Sequence, residues 1–92
     1  MSDVKAEVVM YTTPWCPYCT AAKRLFSAKG VSFKDVDVSG DQAMRAKLVE
    51  MSGGRTTVPQ IFINGAPIGG FDDINALERG KKLDALLAVA PA

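Results

Sequence analysis

Cys16 and Cys19 are the only two thiols of this 92-residue chain, and they stand two residues apart in the stretch "PWCPYCTAAKR". Such a pair can be a covalent staple, half of a metal site, or a reactive dithiol. A disulfide across so short a loop removes little entropy from the unfolded chain, roughly 2 kcal/mol against about 4 to 5 kcal/mol for a long loop. A structural zinc ion takes four ligands, and one C-x-x-C with no second pair and no histidine supplies two. The reactive reading has direct physical support. Pro17 suits the first turn of a helix, where its missing N–H leaves no helical bond unmade and its fixed φ is already correct. A sulfur at that place faces unpaired backbone N–H groups and the positive end of the helix dipole, both of which favour thiolate over thiol. Thiols in such settings have pKa values lowered to about 3.5 to 7.5 from roughly 8.5. Cys16, at the extreme end, is therefore expected to be accessible, acidic and the attacking thiol. Cys19, on the same face but deeper in the first turn, is expected to resolve. With histidine absent, no Cys-His nucleophile pair competes with this assignment.

The elements around the pair must hold it in place. Val4 to Tyr11 is β-rich and only partly alternating, as a strand covered on both faces would be. From Pro17 to about Lys29, Ala21, Ala22, Leu25 and Phe26 recur at helical spacing, with Gly30 as a stop. "VSFKDVDVSG", from Val31 to Gly40, alternates as a second strand. Asp41 can cap a helix whose apolar face is Met44, Leu48 and Met51, ended by "SGGRTT". After Pro59, "QIFI" is a strand, and Asn64-Gly65 is a strong hairpin signal leading to a short strand at Pro67 and Ile68, which Pro67 assigns to a sheet edge. Two short helical segments follow, separated by Gly80, the last with Leu83, Leu86, Leu87 and Ala90 on its apolar face. The order βαβαββα plus a terminal helix describes a single α/β domain over residues 1–92, and a C-x-x-C beside a βαβ pattern points to the thioredoxin-like redox class.

Composition narrows the partners. Eleven Lys plus Arg against ten Asp plus Glu leave a formal charge of +1, so no global field draws the protein to nucleic acid or anionic lipid. The N-terminal stretch carries Asp3, Lys5 and Glu7, which excludes a secretory signal core, and "DALLAVAPA" is far too short to span a bilayer. A cytoplasmic, thiol-reducing compartment is the expectation, and there a catalytic pair is favoured over a structural bridge.

With Cys-Pro-Tyr-Cys after the first strand, Thr57-Val58-Pro59 before the third, and "GGFDD" at Gly69 to Asp73, the chain resembles the dithiol glutaredoxins over about Val4 to Leu87. Read without that resemblance, "TTVPQ" is a loop with a strand-initiating proline, "GGFDD" a hairpin exit with Asp72 or Asp73 as N-cap, and Tyr18 an exposed spacer. The resemblance implies a thioredoxin fold with a four-stranded mixed sheet flanked by helices on both faces, the first two strands parallel and the hairpin antiparallel. It implies a cis Val58–Pro59 bond, with the Val58 backbone free to pair with an extended cysteinyl peptide as an added strand would. It assigns glutathione as reductant and co-substrate, its γ-glutamyl end to Gly70, Phe71, Asp72 and Asp73, its cysteinyl part to Thr57, Val58 and Pro59, and a lid position to Tyr18. For the glycine carboxylate the family typically places a lysine three residues before the nucleophile, where this chain has Thr13. Arg45, Arg55 and Lys23 are the candidate substitutes, or plain surface charges. Trp15 either shields the site or is a partly buried core aromatic.

The expected activity is that of a monomeric glutathione-disulfide oxidoreductase, acting on glutathionylated and disulfide-bonded proteins and requiring no metal. Two rivals share the residues. One is a redoxin fed by thioredoxin reductase, against which "GGFDD" argues because such a protein needs no glutathione site. The other is a carrier in which two Cys16 thiolates and two glutathiones hold a [2Fe-2S] cluster across a dimer, which Pro17 disfavours.

Overall fold

The computed structural model describes residues 4–91. Its elements are β1 (Val8–Thr12), α1 (Pro17–Ala28), β2 (Lys34–Asp37), α2 (Gln42–Met51), β3 (Gln60–Ile63), β4 (Ala66–Gly69), α3 (Phe71–Arg79) and α4 (Leu83–Leu87). The strands form one sheet in the order β2-β1-β3-β4. β1 runs parallel to β2 and antiparallel to β3, and β3 pairs antiparallel with β4. Helices flank both faces, which is the thioredoxin fold.

Register decides what the sheet buries. Val8 lies opposite Ile63 and Met10 opposite Ile61, so these four point to one face, where they join Ala22 and Phe26 of α1, Ile74 of α3 and Leu83 and Leu87 of α4. Phe62 points the other way and meets Tyr11 edge to face, ring centres 5.5 Å apart. All four residues of β3 are buried, as a strand covered on both faces requires. The hairpin between β3 and β4 turns through Asn64 and Gly65, both at positive φ, which is the conformation an Asn-Gly pair is suited to. Pro67 does lie on an edge strand.

Three details depart from the periodic reading. The first strand begins at Val8 instead of Val4, because the N–H groups of Lys5 and Ala6 donate to the Leu87 carbonyl (2.9 and 3.0 Å) and so leave the sheet ladder. On α2 only Leu48 is buried, and Met51 is exposed where the helix ends. Leu86 and Ala90 likewise face outward, since α4 stops after one turn and a half and only Leu83 and Leu87 reach the core.

On α1 the buried positions are Cys19, Ala22 and Phe26, one inward face on which the second thiol is the first residue. Beyond the other end of that helix Lys29 Nζ binds both Glu78 oxygens (2.7 and 3.0 Å) and Asp84 (2.8 Å), tying α1 to α3 and α4.

Candidate active site

Cys16 is the N-cap of α1 and Pro17 its first residue. The Cys19 N–H donates to Cys16 Sγ at 3.3 Å, so the sulfur takes the part a serine or aspartate oxygen plays at an ordinary helix start. Burial would push the Cys16 thiol up. Hydrogen bonds from the Cys19 side chain and from the backbone N–H groups of Cys19 and Tyr18 outweigh it and hold the pKa below the ordinary cysteine value. Cys19 is the opposite case. Burial is the main cause that raises it to about 11; a hydrogen bond with the Thr13 backbone opposes it, the hydrogen bond to Cys16 and the negative charge there add to it, and Lys23 pulls least, the other way. One thiol is thus partly exposed and primed to ionise, and its neighbour is buried and held protonated.

Across from the pair, the chain before β3 brings the Val58 carbonyl to 3.7 Å from Cys16 Sγ, and the Val58–Pro59 bond is cis. Two side chains brace this segment, and sequence reasoning passed over both. Gln60, buried in the sheet, donates from Nε2 to the Thr57 carbonyl at 2.8 Å. Ser52 Oγ accepts from the Arg55 N–H and lies 3.2 Å from the Arg55 carbonyl. A lone glutamine opening an otherwise apolar strand was the available signal for the first; nothing local marks the second.

Beside the thiol lies a groove of about 260 Å³. Tyr18 of α1 forms one wall, the Arg55, Thr57, Val58 and Pro59 segment a second, and Gly70, Phe71, Asp72 and Asp73 at the start of α3 the third. Three stretches expected to act together are therefore brought together. At the α3 start, Gly70 has no side chain to cap the first turn, whereas Asp73 Oδ2 accepts from the Gly70 N–H (2.9 Å) and from Arg55 Nη2 (3.0 Å). Asp73 is thereby committed to the protein itself, and Asp72 forms no ion pair among the described residues. Gly69 is at φ +124°, and a Cβ there would collide with the Asp73 carboxylate and with Arg55 Nη1 (2.7 Å).

Of the candidate cations only Arg55 lines the groove. Lys23 is taken by Asp35 at 2.7 Å, and Arg45 donates to the Thr56 carbonyl at 3.4 Å. Thr13 is buried and presents nothing to a ligand. Trp15 is 74% exposed, which overturns its reading as a core aromatic: the turn closed by the Cys16 N–H and the Thr13 carbonyl carries it outward.

A family model described as Glutaredoxin matches residues 8–68, two thirds of the chain and both cysteines. The chain belongs to the glutaredoxin family. It is 53% identical over 81 residues to a glutaredoxin of Pseudomonas aeruginosa, covering 88% of this chain and 95% of that one. To glutaredoxin 3 of Escherichia coli strain K12 it is 51% identical over 82 residues, covering 89% and 98%. Among solved structures it is similar to a buckwheat glutaredoxin-glutathione complex, with a TM-score of 0.82 and 30% identity over 89% of this chain and 76% of that one. Glutaredoxins are thiol-disulfide oxidoreductases, and the free dithiol at the start of α1 is the equipment for that chemistry.

Proposed function

We propose that this glutaredoxin uses glutathione to reduce protein-glutathione mixed disulfides and protein disulfides, with Cys16 as nucleophile and Cys19 as resolving thiol. The observation that carries the reading is the inequality of the two thiols at one helix start, Cys16 held toward thiolate by N–H donors and Cys19 buried with its pKa raised to about 11. In the first step Cys16 thiolate attacks the glutathione sulfur of a mixed disulfide. A Cys16–glutathione bond forms as the bond to the target breaks, and the target leaves as thiolate and takes up a proton. A second glutathione thiolate attacks the glutathione sulfur on Cys16, releasing oxidised glutathione and restoring the Cys16 thiolate. Two glutathiones are oxidised to one disulfide, and the target sulfur is reduced. With a protein disulfide, Cys16 forms the mixed disulfide and Cys19 displaces the target, leaving a bridge that glutathione reopens. Glutaredoxin potentials of roughly −200 to −230 mV lie near the cytosolic glutathione couple, which makes that reopening feasible.

The groove supports a place for each part of the tripeptide. The uncapped N–H groups at the start of α3 suit the γ-glutamyl carboxylate, and Asp72 suits its ammonium. The Val58 backbone suits the cysteinyl amide, Arg55 suits a glutathione carboxylate, and Tyr18, on the groove wall, suits a lid beside the sulfur. Thr57, Pro59, Gly70, Phe71 and Asp73 shape the walls. The buckwheat relative, solved as a glutathione complex, supports the ligand. Residues 1–92 act in this reading as one monomeric unit in a thiol-reducing cytoplasm, and the chemistry calls on no metal. No helix among the described residues is long and apolar enough to cross a membrane.

The test is glutathione-dependent reduction of a small glutathione mixed disulfide. Cys16→Ser should abolish turnover, and Cys19→Ser should retain much of it. Turnover by Cys16→Ser would refute the assignment, and activity with thioredoxin reductase in place of glutathione would favour the first rival.

A further inference from the structure

The groove accounts for Tyr18 but leaves the most exposed aromatic of the site without a task. Trp15 is the only tryptophan of the chain, directly precedes Cys16, is 74% exposed, and is not part of the groove wall. Pro14 and Pro17 flank it and the nucleophile, and the Cys16 N–H closes a turn onto the Thr13 carbonyl at 3.4 Å. Two fixed φ angles and a closed turn make this ridge stiff, so ordering it against a partner costs little. A large amphipathic side chain on a stiff support is the kind of residue that carries binding energy at protein interfaces.

We propose that Trp15 docks the polypeptide part of a disulfide substrate, a specificity contact separate from the glutathione groove. The occupant follows from covalent reach: a polypeptide bonded to Cys16 is too long for the groove and must run on past it, beside the residue next to the nucleophile. Trp15 is not among the residues that line the groove, so a tripeptide seated there need not touch it, whereas a polypeptide chain continues on both sides of its cysteine and reaches the ridge. This inference rests on the oxidoreductase reading of Cys16, and its test separates the two.

Trp15 is itself the reporter, since its emission answers to no other tryptophan. In a Cys19→Ser background, Cys16 thiolate can displace thionitrobenzoate from the activated cysteine of a tryptophan-free polypeptide. One disulfide is exchanged for another, with the thionitrobenzoate thiolate released. The same variant treated with oxidised glutathione forms the Cys16–glutathione adduct and releases glutathione thiolate. The polypeptide adduct should shift Trp15 emission to shorter wavelength and protect it from iodide quenching, and the glutathione adduct should do neither. Equal behaviour of the two adducts would overturn the proposal, as would a concentration-dependent shift in the free protein, which would assign the ridge to a second copy. In turnover, Trp15→Ala should lower kcat/KM for the glutathionylated polypeptide roughly tenfold. Trp15→Phe should recover most of it, and the small mixed disulfide should be reduced as before. Parallel losses on both substrates would count against docking. If the unaltered protein reduced neither substrate, the function proposed above would fall, and the emission comparison would still decide the role of Trp15.

Discussion

A sulfur that caps a helix and a sulfur buried one turn later make opposite demands on pH. Cys16 has its folded pKa depressed, so its ionised form stabilises the fold; that contribution is present above the unfolded pKa and is lost as pH falls through the folded one. Cys19 has its folded pKa raised from 9.0 to about 11, so its contribution is present below the unfolded value and is lost as pH rises across that interval. The reduced protein should therefore lose thermal stability between pH 9.0 and about 11 more steeply than Cys19→Ala does, as melting curves of both would read. Parallel curves would argue against a buried, protonated Cys19. The two aspartates of the groove also part company. Asp72→Asn should raise KM for glutathione with little change in melting temperature. Asp73→Asn should instead lower stability by about 1 kcal/mol, the typical worth of a helix-start contact, because Asp73 holds the Gly70 N–H and Arg55.

Among the elements, α1 carries both thiols at one end, and just past the other end its stability meets that of α3 and α4. Lys29 Nζ reaches carboxylates on both neighbours, which raises its pKa, first through Asp84 and then through Glu78. Lys29→Met should cost about 1 kcal/mol in denaturant unfolding, the carboxylates being partly solvated. Activity on small substrates should be kept, since the change lies at the far end of the helix. Elements of this kind were largely legible in sequence because periodicity and punctuation agree: Pro17 and Gly30 bracket α1, and Asn64-Gly65 marks the hairpin. Legibility failed where a distant partner decides. Val4 to Glu7 carry a strand-like pattern, yet the carbonyl that Lys5 and Ala6 bind belongs to Leu87. Met51 and Leu86 keep the helical spacing of core residues on helices too short to bury them.

At the scale of the whole molecule, the site is a meeting of three segments, around residues 16–19, 55–59 and 70–73. Each was recognisable by its own motif, which is why most of the groove wall could be named from sequence. Their supports were not, because Gln60 and Ser52 act only once the chain has brought Thr57 and Arg55 within hydrogen-bond reach. The same long-range assembly has a consequence in time. Cys16 and its Val58 carbonyl partner are 42 residues apart, which at synthesis rates of about 5 to 20 residues per second is a delay of about 2 to 8 seconds. For that interval a growing chain carries both thiols with no opposite groove wall beside Cys16. The newborn dithiol therefore gains the carbonyl that will face Cys16 only when the segment before the third strand arrives.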